Sequence, residues 1–216
     1  MRALLAVFVA LVFLAGCGGG NDDSSAGGTT TEVTECAEVD APEARDPEPS
    51  EAPAAGLDAS TTHTLTFDTS CGSFTVTLDP EQAPKTSASL VALATAGYFD
   101  ETIFHRVVPG FVIQGGDPTQ SGSGGPGYST VDVPASGSAY TQGVVAMAKS
   151  GDEAPGTAGS QFFVVTGADA ALPPDYAIVG EVTEGMDTVL RIDALGVGDG
   201  PPSQPVVVNT VTVGES

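Results

Sequence analysis

Short runs of alternating apolar and polar residues, separated by glycine and proline, occupy the chain from Thr61 to its end. Residues 63–68 and 74–78 alternate with a period of two on either side of a turn, which predicts a β-hairpin. Many short strands joined by long loops are typical of an all-β barrel. Further β-rich runs follow at residues 102–108, 111–114, 143–148, 162–166, 177–182 and 205–213.

Two stretches depart from this pattern and predict helices. Pro84 opens the first, and residues 85–96 place their apolar side chains on one face before Gly97 ends the helix. The second helix, residues 186–192, begins after Gly185. Because the two helices lie far apart in the sequence, we expect a mostly β fold, a closed barrel whose ends are plugged by helices.

Residues 18–60 have a different composition, with eleven acidic residues, Arg45 as the one basic residue and almost no large apolar side chain. Such a segment cannot bury enough apolar surface to offset the entropy lost on ordering. We therefore expect residues 17–60 to form an acidic, flexible and disordered linker. The folded domain would then span residues 61–216.

The N-terminus carries the features of an export signal. Arg2 precedes an apolar run, residues 3–14, that is too short to span a bilayer and is typical of a signal peptide. Residues 14–17, LAGC, resemble the bacterial lipobox, which implies removal of residues 1–16 and acyl chains such as palmitate on Cys17. Two acyl chains anchor a domain stably to a membrane, here on its extracytoplasmic face. The alternative is an ordinary secreted protein with an incidental cysteine.

Two further cysteines remain, Cys36 in the linker and Cys71 at the start of the folded part. Outside the cytoplasm such a pair tends to oxidise. The predicted disulfide would close a loop of about 36 residues and contribute roughly 3 to 4 kcal/mol in the chain-entropy model. The alternative is two unpaired thiols.

Charge and motif content exclude several classes of function. The chain has 28 acidic and 6 basic side chains, a net charge of −22, and no cluster of Lys and Arg that could bind nucleic acid. His63 and His105 lie in no HExxH or CxxC setting, which argues against a transition-metal site. A GxGxxG string at residues 122–127 contains Pro126 and opens no helix, so it predicts no dinucleotide site. Any activity must act through binding and polarisation, without a cofactor or metal.

Residues 104–117, FHRVVPGFVIQGGD, resemble the signature of the cyclophilin family of peptidyl-prolyl isomerases. Agreement continues in the same order at residues 124–128, 143–148, 159–163 and 176–182, and it covers about residues 61–216. The resemblance implies an eight-stranded antiparallel barrel capped by two helices. It also implies a monomer that isomerises X-Pro bonds of unfolded or newly exported polypeptides.

The resemblance further implies the site residues. Arg106 would donate to the imide nitrogen, and Gln114 would position the substrate backbone or Arg106 itself. Arg106 could instead be a surface arginine in a salt bridge, and Gln161 could belong to the scaffold. The proline pocket would contain Phe111, Val112, Phe163 and Leu172, the peptide groove Met147, Ala148 and Gln161, and the rim Tyr176. Phe111 and Phe163 could alternatively be core residues.

Three departures from the family pattern bear on specificity. Tyr176 stands where eukaryotic members have a histidine, and Lys149-Ser150 replaces the usual Asn-Ala at the groove wall. Ala171 aligns with the tryptophan of cyclosporin-sensitive members, which makes tight cyclosporin binding doubtful. Two rival functions remain, a proline-directed binding module or chaperone with little catalytic activity, and a structural envelope lipoprotein.

Overall fold

The computed structural model describes residues 35–47 and 50–216. The predicted signal peptide, the lipid site at Cys17 and the first half of the predicted linker lie outside the described residues. Within the described part of the chain, none of the helices has the length and apolar character needed to cross a bilayer.

Eleven strands and two helices make up the described domain. The helices are α1 (Pro84–Thr95) and α2 (Met186–Asp193). The strands are β1 (His63–Thr69), β2 (Gly72–Leu78), β3 (Thr102–Ile103), β4 (Arg106–Val108), β5 (Val112–Gly115), β6 (Thr130–Val131), β7 (Val144–Met147), β8 (Thr157–Ala158), β9 (Phe162–Val165), β10 (Ile178–Glu184) and β11 (Val207–Glu215).

Nine strands form one antiparallel sheet in the order β3-β11-β1-β2-β10-β7-β9-β5-β4, and β6 pairs with β8 separately. The prediction of a closed eight-stranded barrel is therefore wrong, and the domain is built on a curled nine-stranded sheet with two edges. The run predicted at residues 102–108 accounts for the difference, because it divides into β3 and β4. These two strands pair with β11 and β5, at opposite edges of the sheet.

The predicted hairpin and both helices are confirmed. Strands β1 and β2 pair antiparallel around a tight turn. Helix α1 begins at Pro84, where a proline costs no hydrogen bond because the first-turn amides have no partner inside the helix. Gly185 precedes α2 with φ 74°, and a Cβ at this position would lie 2.3 Å from the Ser73 carbonyl oxygen. Only glycine fits this approach.

Strand alternation divides the apolar side chains between the two faces of the sheet. Along β9, Phe162 and Val164 join the main core, whereas Phe163 and Val165 belong to a second, smaller apolar cluster. The main core also contains stacked Phe67 and Phe74, whose ring centroids are 4.8 Å apart. The second cluster lies on the face of the sheet that carries the candidate site.

Residues 35–47 and 50–57, here called the N-terminal strap, lie against the domain. Backbone hydrogen bonds join Ala37 N to the Ser70 carbonyl (2.8 Å) and Ser50 N to the Pro126 carbonyl (3.1 Å). Cys36 forms the predicted disulfide with Cys71. The prediction of a flexible linker is wrong for the strap, because a disulfide and backbone hydrogen bonds fix a segment that has too few apolar residues to form a core.

Arg45 holds the middle of the strap in place. Its Nη2 donates to the carbonyl oxygens of Gly97 (3.4 Å), Tyr98 (2.7 Å) and Asp100 (3.0 Å), just beyond the end of α1. These carbonyls belong to the turn that follows α1, and a guanidinium, which has several N–H donors, can bind more than one of them at once. The single basic residue of the predicted linker therefore serves as an anchor for the strap.

Candidate active site

A row of four side chains crosses adjacent strands on the face of the second apolar cluster. The register aligns Arg106 on β4 with Gln114 on β5, Gln114 with Phe163 on β9, and Phe163 with Ala146 on β7. Directly paired residues of antiparallel strands point to the same face. The sheet thus places a guanidinium and an amide beside an aromatic ring.

An open cavity of about 280 Å³ lies over this row. The Phe163 and Tyr176 rings meet edge to face, with centroids 5.7 Å apart. Lys149 Nζ lies 5.5 Å from the centroid of the Tyr176 ring. The cavity therefore has an apolar floor and a cationic side. Its lining residues are Arg106, Phe111, Val112, Gln114, Ala148, Lys149, Phe163, Leu172 and Tyr176.

A chain of hydrogen bonds fixes the polar side chains of the site. Arg106 Nη1 donates to Gln114 Oε1 (3.1 Å), Gln114 Nε2 donates to Gln161 Oε1 (3.0 Å), and Gln161 Nε2 donates to the Gly124 carbonyl oxygen (3.0 Å). At the other end, Asp199 accepts from Arg106 Nε and Nη2. Each side-chain amide is oriented by hydrogen bonds on both sides. This series of hydrogen bonds, together with Asp199, holds the guanidinium of Arg106 in position.

A larger cavity of about 690 Å³ continues the groove and shares Gln114, Ala148 and Lys149 with the first. The glycine-rich stretch at residues 122–127 lines one side of it, and Gln161 lies on its floor. Together the two cavities form one continuous groove on this face of the sheet. Among residues 35–47 and 50–216, no three His, Cys, Asp or Glu side chains are grouped to hold a metal ion.

Asp117 organises the glycine-rich stretch from beneath. Its carboxylate accepts hydrogen bonds from Thr119 N (2.8 Å) and Oγ1 (2.7 Å), Gly122 N (2.7 Å) and Gly124 N (3.1 Å). Burial alone would raise the pKa of Asp117, but these donors outweigh it and lower the pKa below its ordinary value. A Cβ on Gly124 would lie 2.0 Å from Asp117 Oδ1, so the close approach requires glycine there.

Replacing Asp117 by asparagine is expected to destabilise the domain by about 2 kcal/mol at pH 7, because an amide has only one oxygen and cannot accept all the hydrogen bonds that the carboxylate accepts. Since folding lowers the pKa of Asp117, its contribution is present above the ordinary carboxylate pKa and is lost as pH falls through the folded value. The difference between wild type and Asp117→Asn should therefore shrink below about pH 4. Urea unfolding of both proteins at several pH values between 7 and 3 measures this difference in the free energy of unfolding.

Asp58→Asn is the matched control, since Asp58 forms an exposed turn of the same kind with Ser60. We expect a smaller loss of stability for this variant than for Asp117→Asn at pH 7. Equal losses in the two variants, or a difference for Asp117→Asn that does not change with pH, would contradict the role assigned to Asp117.

The structure brings most of the predicted site residues together and separates one from them. Met147 is wrongly predicted as a groove residue, since its side chain is fully buried in the main core. The physical reason is the period of two along β7, which turns Met147 inward and leaves Ala148 at the groove. Gln161 is both scaffold and groove residue, because it bonds Gln114 and Gly124 and also lines the larger cavity.

Two contributors to the site were absent from the predictions. Tyr140 accepts from Tyr176 N (3.1 Å) and donates to the Tyr176 carbonyl oxygen (2.7 Å), which fixes the rim residue from both sides. Burial raises the pKa of Tyr140, so its hydroxyl keeps the proton that this donation needs. Asp199 lies 93 positions from Arg106 in the sequence, and no local pattern connects the two.

His105, next to Arg106, is partly buried, and both of its ring nitrogens are buried without a hydrogen-bond partner within the described residues. Burial and the charge of Arg106 lower its pKa, although the charge of Asp117 partly opposes them. The ring is therefore neutral at neutral pH. This agrees with a structural rather than a catalytic role.

Comparison with known proteins supports what this geometry indicates. The family model described as "Cyclophilin type peptidyl-prolyl cis-trans isomerase/CLD" matches residues 64–213. The chain belongs to the cyclophilin family. The match includes the four-residue row, both cavities and α1 and α2, and it leaves out the strap. Members of this family are peptidyl-prolyl cis-trans isomerases, and this cyclophilin is an enzyme of that class.

Curated relatives come from fungi and bacteria. "Peptidyl-prolyl cis-trans isomerase-like 1" of Aspergillus fumigatus is 43% identical over 132 residues, which cover 59% of this chain and 80% of the relative. "Probable peptidyl-prolyl cis-trans isomerase A" of Mycobacterium leprae is 36% identical over 170 residues, covering 69% of this chain and 91% of the relative.

Solved structures share the fold. A cyclophilin type peptidyl-prolyl cis-trans isomerase of Cryptosporidium parvum superimposes with a TM-score of 0.65 at 28% identity, covering 72% of this chain and 99% of that one. A second structure of the same protein, also at a TM-score of 0.65 and 29% identical, was determined in the presence of the dipeptide Ala-Pro.

Proposed function

We propose that this cyclophilin isomerises X-Pro bonds by a non-covalent mechanism in which Arg106 polarises the imide nitrogen of the substrate. The placement of Arg106 carries this proposal, since its guanidinium lines a cavity whose apolar floor can receive a proline ring. The mechanism needs neither a nucleophile nor a cofactor. Proline-containing polypeptides are the substrates.

Rotation about an X-Pro bond breaks amide resonance, with a barrier of about 18 to 20 kcal/mol. In the twisted transition state the nitrogen becomes pyramidal and more basic, so a hydrogen-bond donor stabilises this state more than either planar isomer. An enzyme accelerates the reaction only through interactions that are stronger in the transition state. A preorganised guanidinium is such a donor, because its partners hold it before substrate arrives.

The apolar floor of the smaller cavity fits the proline ring. Phe163 is held by its contacts with Tyr140 and Tyr176, whose ring centroids lie 6.4 and 5.7 Å from its own. Val112 packs in the same cluster, and Phe111 and Leu172 are its partly buried neighbours. The proline ring of the substrate stays in place in this pocket while the carbonyl group of the preceding residue rotates about the X-Pro bond. Gln114 and the larger cavity bind the flanking peptide backbone.

We further propose that the enzyme acts on unfolded or newly exported polypeptides as a lipoprotein of a bacterial cell membrane, anchored through Cys17 on the extracytoplasmic face. The sequence of residues 1–17 supports this location. The Cys36–Cys71 disulfide supports it independently, because such bonds persist mainly in oxidising compartments. Loss of the protein from the membrane fraction in Cys17→Ser tests the anchor. Wild type found in the cytosol would contradict the location.

Exchange spectroscopy by NMR on an Ala-Pro-containing peptide tests the activity. Catalytic amounts of the mature protein are expected to accelerate cis–trans exchange well beyond the uncatalysed rate, which is one event in tens of seconds or longer. Peptide binding without acceleration would favour the rival function, a proline-directed binding module. An absence of both would favour the structural lipoprotein.

A further inference from the structure

Asp199 accepts two of the three side-chain hydrogen bonds that Arg106 donates within the described residues. It lies between α2 and β11, and its Oδ1 and Oδ2 accept from Arg106 Nε (2.5 Å) and Nη2 (3.1 Å). The surrounding loop is fixed to β4 one residue beyond the arginine, because Val107 N donates to the Gly200 carbonyl oxygen (2.8 Å). Backbone and side chain thus attach this loop to the strand that carries Arg106.

The paired contact restricts the guanidinium more than a single hydrogen bond would. Two parallel N–H···O bonds fix both the position and the plane of an arginine fork. A guanidinium has five N–H groups. Asp199 uses one on Nε and one on Nη2, and Gln114 uses one on Nη1. Two N–H groups remain for a ligand in the cavity. Asp199 and Gln114 set the direction of these two groups, because they hold the other three.

We propose that Asp199 is a positioning residue for isomerisation, which holds the free N–H groups of Arg106 towards the imide nitrogen of the substrate. This inference rests on the proposed function of Arg106. Arg106 does form a salt bridge, as an ordinary surface arginine would. Under this proposal the salt bridge has a function, because it orients a guanidinium that lines the groove. The Arg106 side chain is 31% exposed and that of Asp199 67%, so the pair remains open to solvent and substrate.

Two effects of Asp199 act in opposite directions. Its negative charge weakens the field of Arg106 at the imide nitrogen, whereas its fork contact reduces the freedom of the side chain. Water screens the charge of an exposed carboxylate, but it does not remove the directional constraint. The hydrogen bond from Arg106 holds the pKa of Asp199 below its ordinary value, so the contact persists throughout the neutral pH range.

Asp199→Asn tests the inference, because asparagine keeps the size of the side chain and loses one acceptor and the charge. We expect kcat to fall about fivefold with KM nearly unchanged, as for a contact that acts on the transition state. Asp199→Glu, which restores the carboxylate, should recover part of the loss. In ¹⁵N NMR spectra of the wild type, Arg106 Hε should give a sharp signal that broadens or shifts in Asp199→Asn.

Asp187→Asn is the matched control. Asp187 is 74% exposed and also pairs with an arginine, Arg191, but neither residue lines the groove. Unchanged kcat in Asp187→Asn together with the fall in Asp199→Asn supports the inference. An Asp199→Asn enzyme as fast as wild type or faster overturns it, and so does an equal fall in both variants. If wild type itself is inactive, the proposed function fails, and the Arg106 Hε signal alone decides whether Asp199 orients the guanidinium.

Discussion

Replacing Arg106 by alanine is expected to lower kcat/KM for an Ala-Pro peptide by about a hundredfold, the effect of losing one preorganised donor from an active site. The guanidinium of Arg106 lies at the edge of the cavity, and three hydrogen bonds hold it in position before substrate binds. Its removal leaves the apolar floor intact. Peptide affinity should therefore change much less than the catalysed rate, and NMR titration of the peptide measures that affinity separately.

Arg106→Lys distinguishes charge from geometry. An ammonium keeps the positive charge, but it cannot make the paired contact with Asp199 and the contact with Gln114 while presenting a donor to substrate. We expect this variant to recover only a small part of the lost rate. Lys85→Ala, which removes an exposed cation on α1, should leave the rate unchanged. An Arg106→Ala enzyme within about threefold of wild type would rule out the proposed mechanism and favour a binding module.

The groove could be predicted from the sequence wherever its residues lie in one short run or alternate along one strand. Arg106, Phe111 and Gln114 fall within fourteen consecutive residues of the family signature, and the register then aligns two of them directly. The same alternation shows why Met147 was misplaced. A motif identifies a strand that lines the groove. Successive side chains of the strand point to opposite faces of the sheet, so only the strand's position in the structure shows whether Met147 or Ala148 faces the groove.

Two features could not be predicted because they depend on contacts between distant segments. Asp199 reaches Arg106 through the path of the loop between α2 and β11, and the only local signals in that loop are glycines and prolines, which predict a turn but no partner. The strap was predicted as disordered from its composition, which counts apolar side chains. Composition does not count backbone hydrogen bonds such as that of Ala37 N with the Ser70 carbonyl, nor an arginine that binds carbonyls in the turn after α1.

The Cys36–Cys71 disulfide is expected to contribute about 3 to 4 kcal/mol to the stability of the domain, because it closes a loop across a sequence separation of 35. Most of this contribution arises in the unfolded chain, whose freedom the bond restricts. In the folded state it joins the strap to a residue of the main core, since Cys71 is buried there. The double variant Cys36→Ala/Cys71→Ala should therefore unfold at a clearly lower urea concentration than oxidised wild type.

Treatment with a reductant separates loss of the bond from loss of the sulfur atoms. Reduced wild type should approach the double variant in stability, whereas the double variant should not respond to the reductant at all. Protection of strap amides from hydrogen exchange should fall in the same two samples, because the hydrogen bonds of Ala37 and Ser50 would then depend on the strap's own weak packing. Equal stability of oxidised wild type and the double variant would contradict this account. In that case Arg45 and the backbone hydrogen bonds alone would hold the strap on the domain.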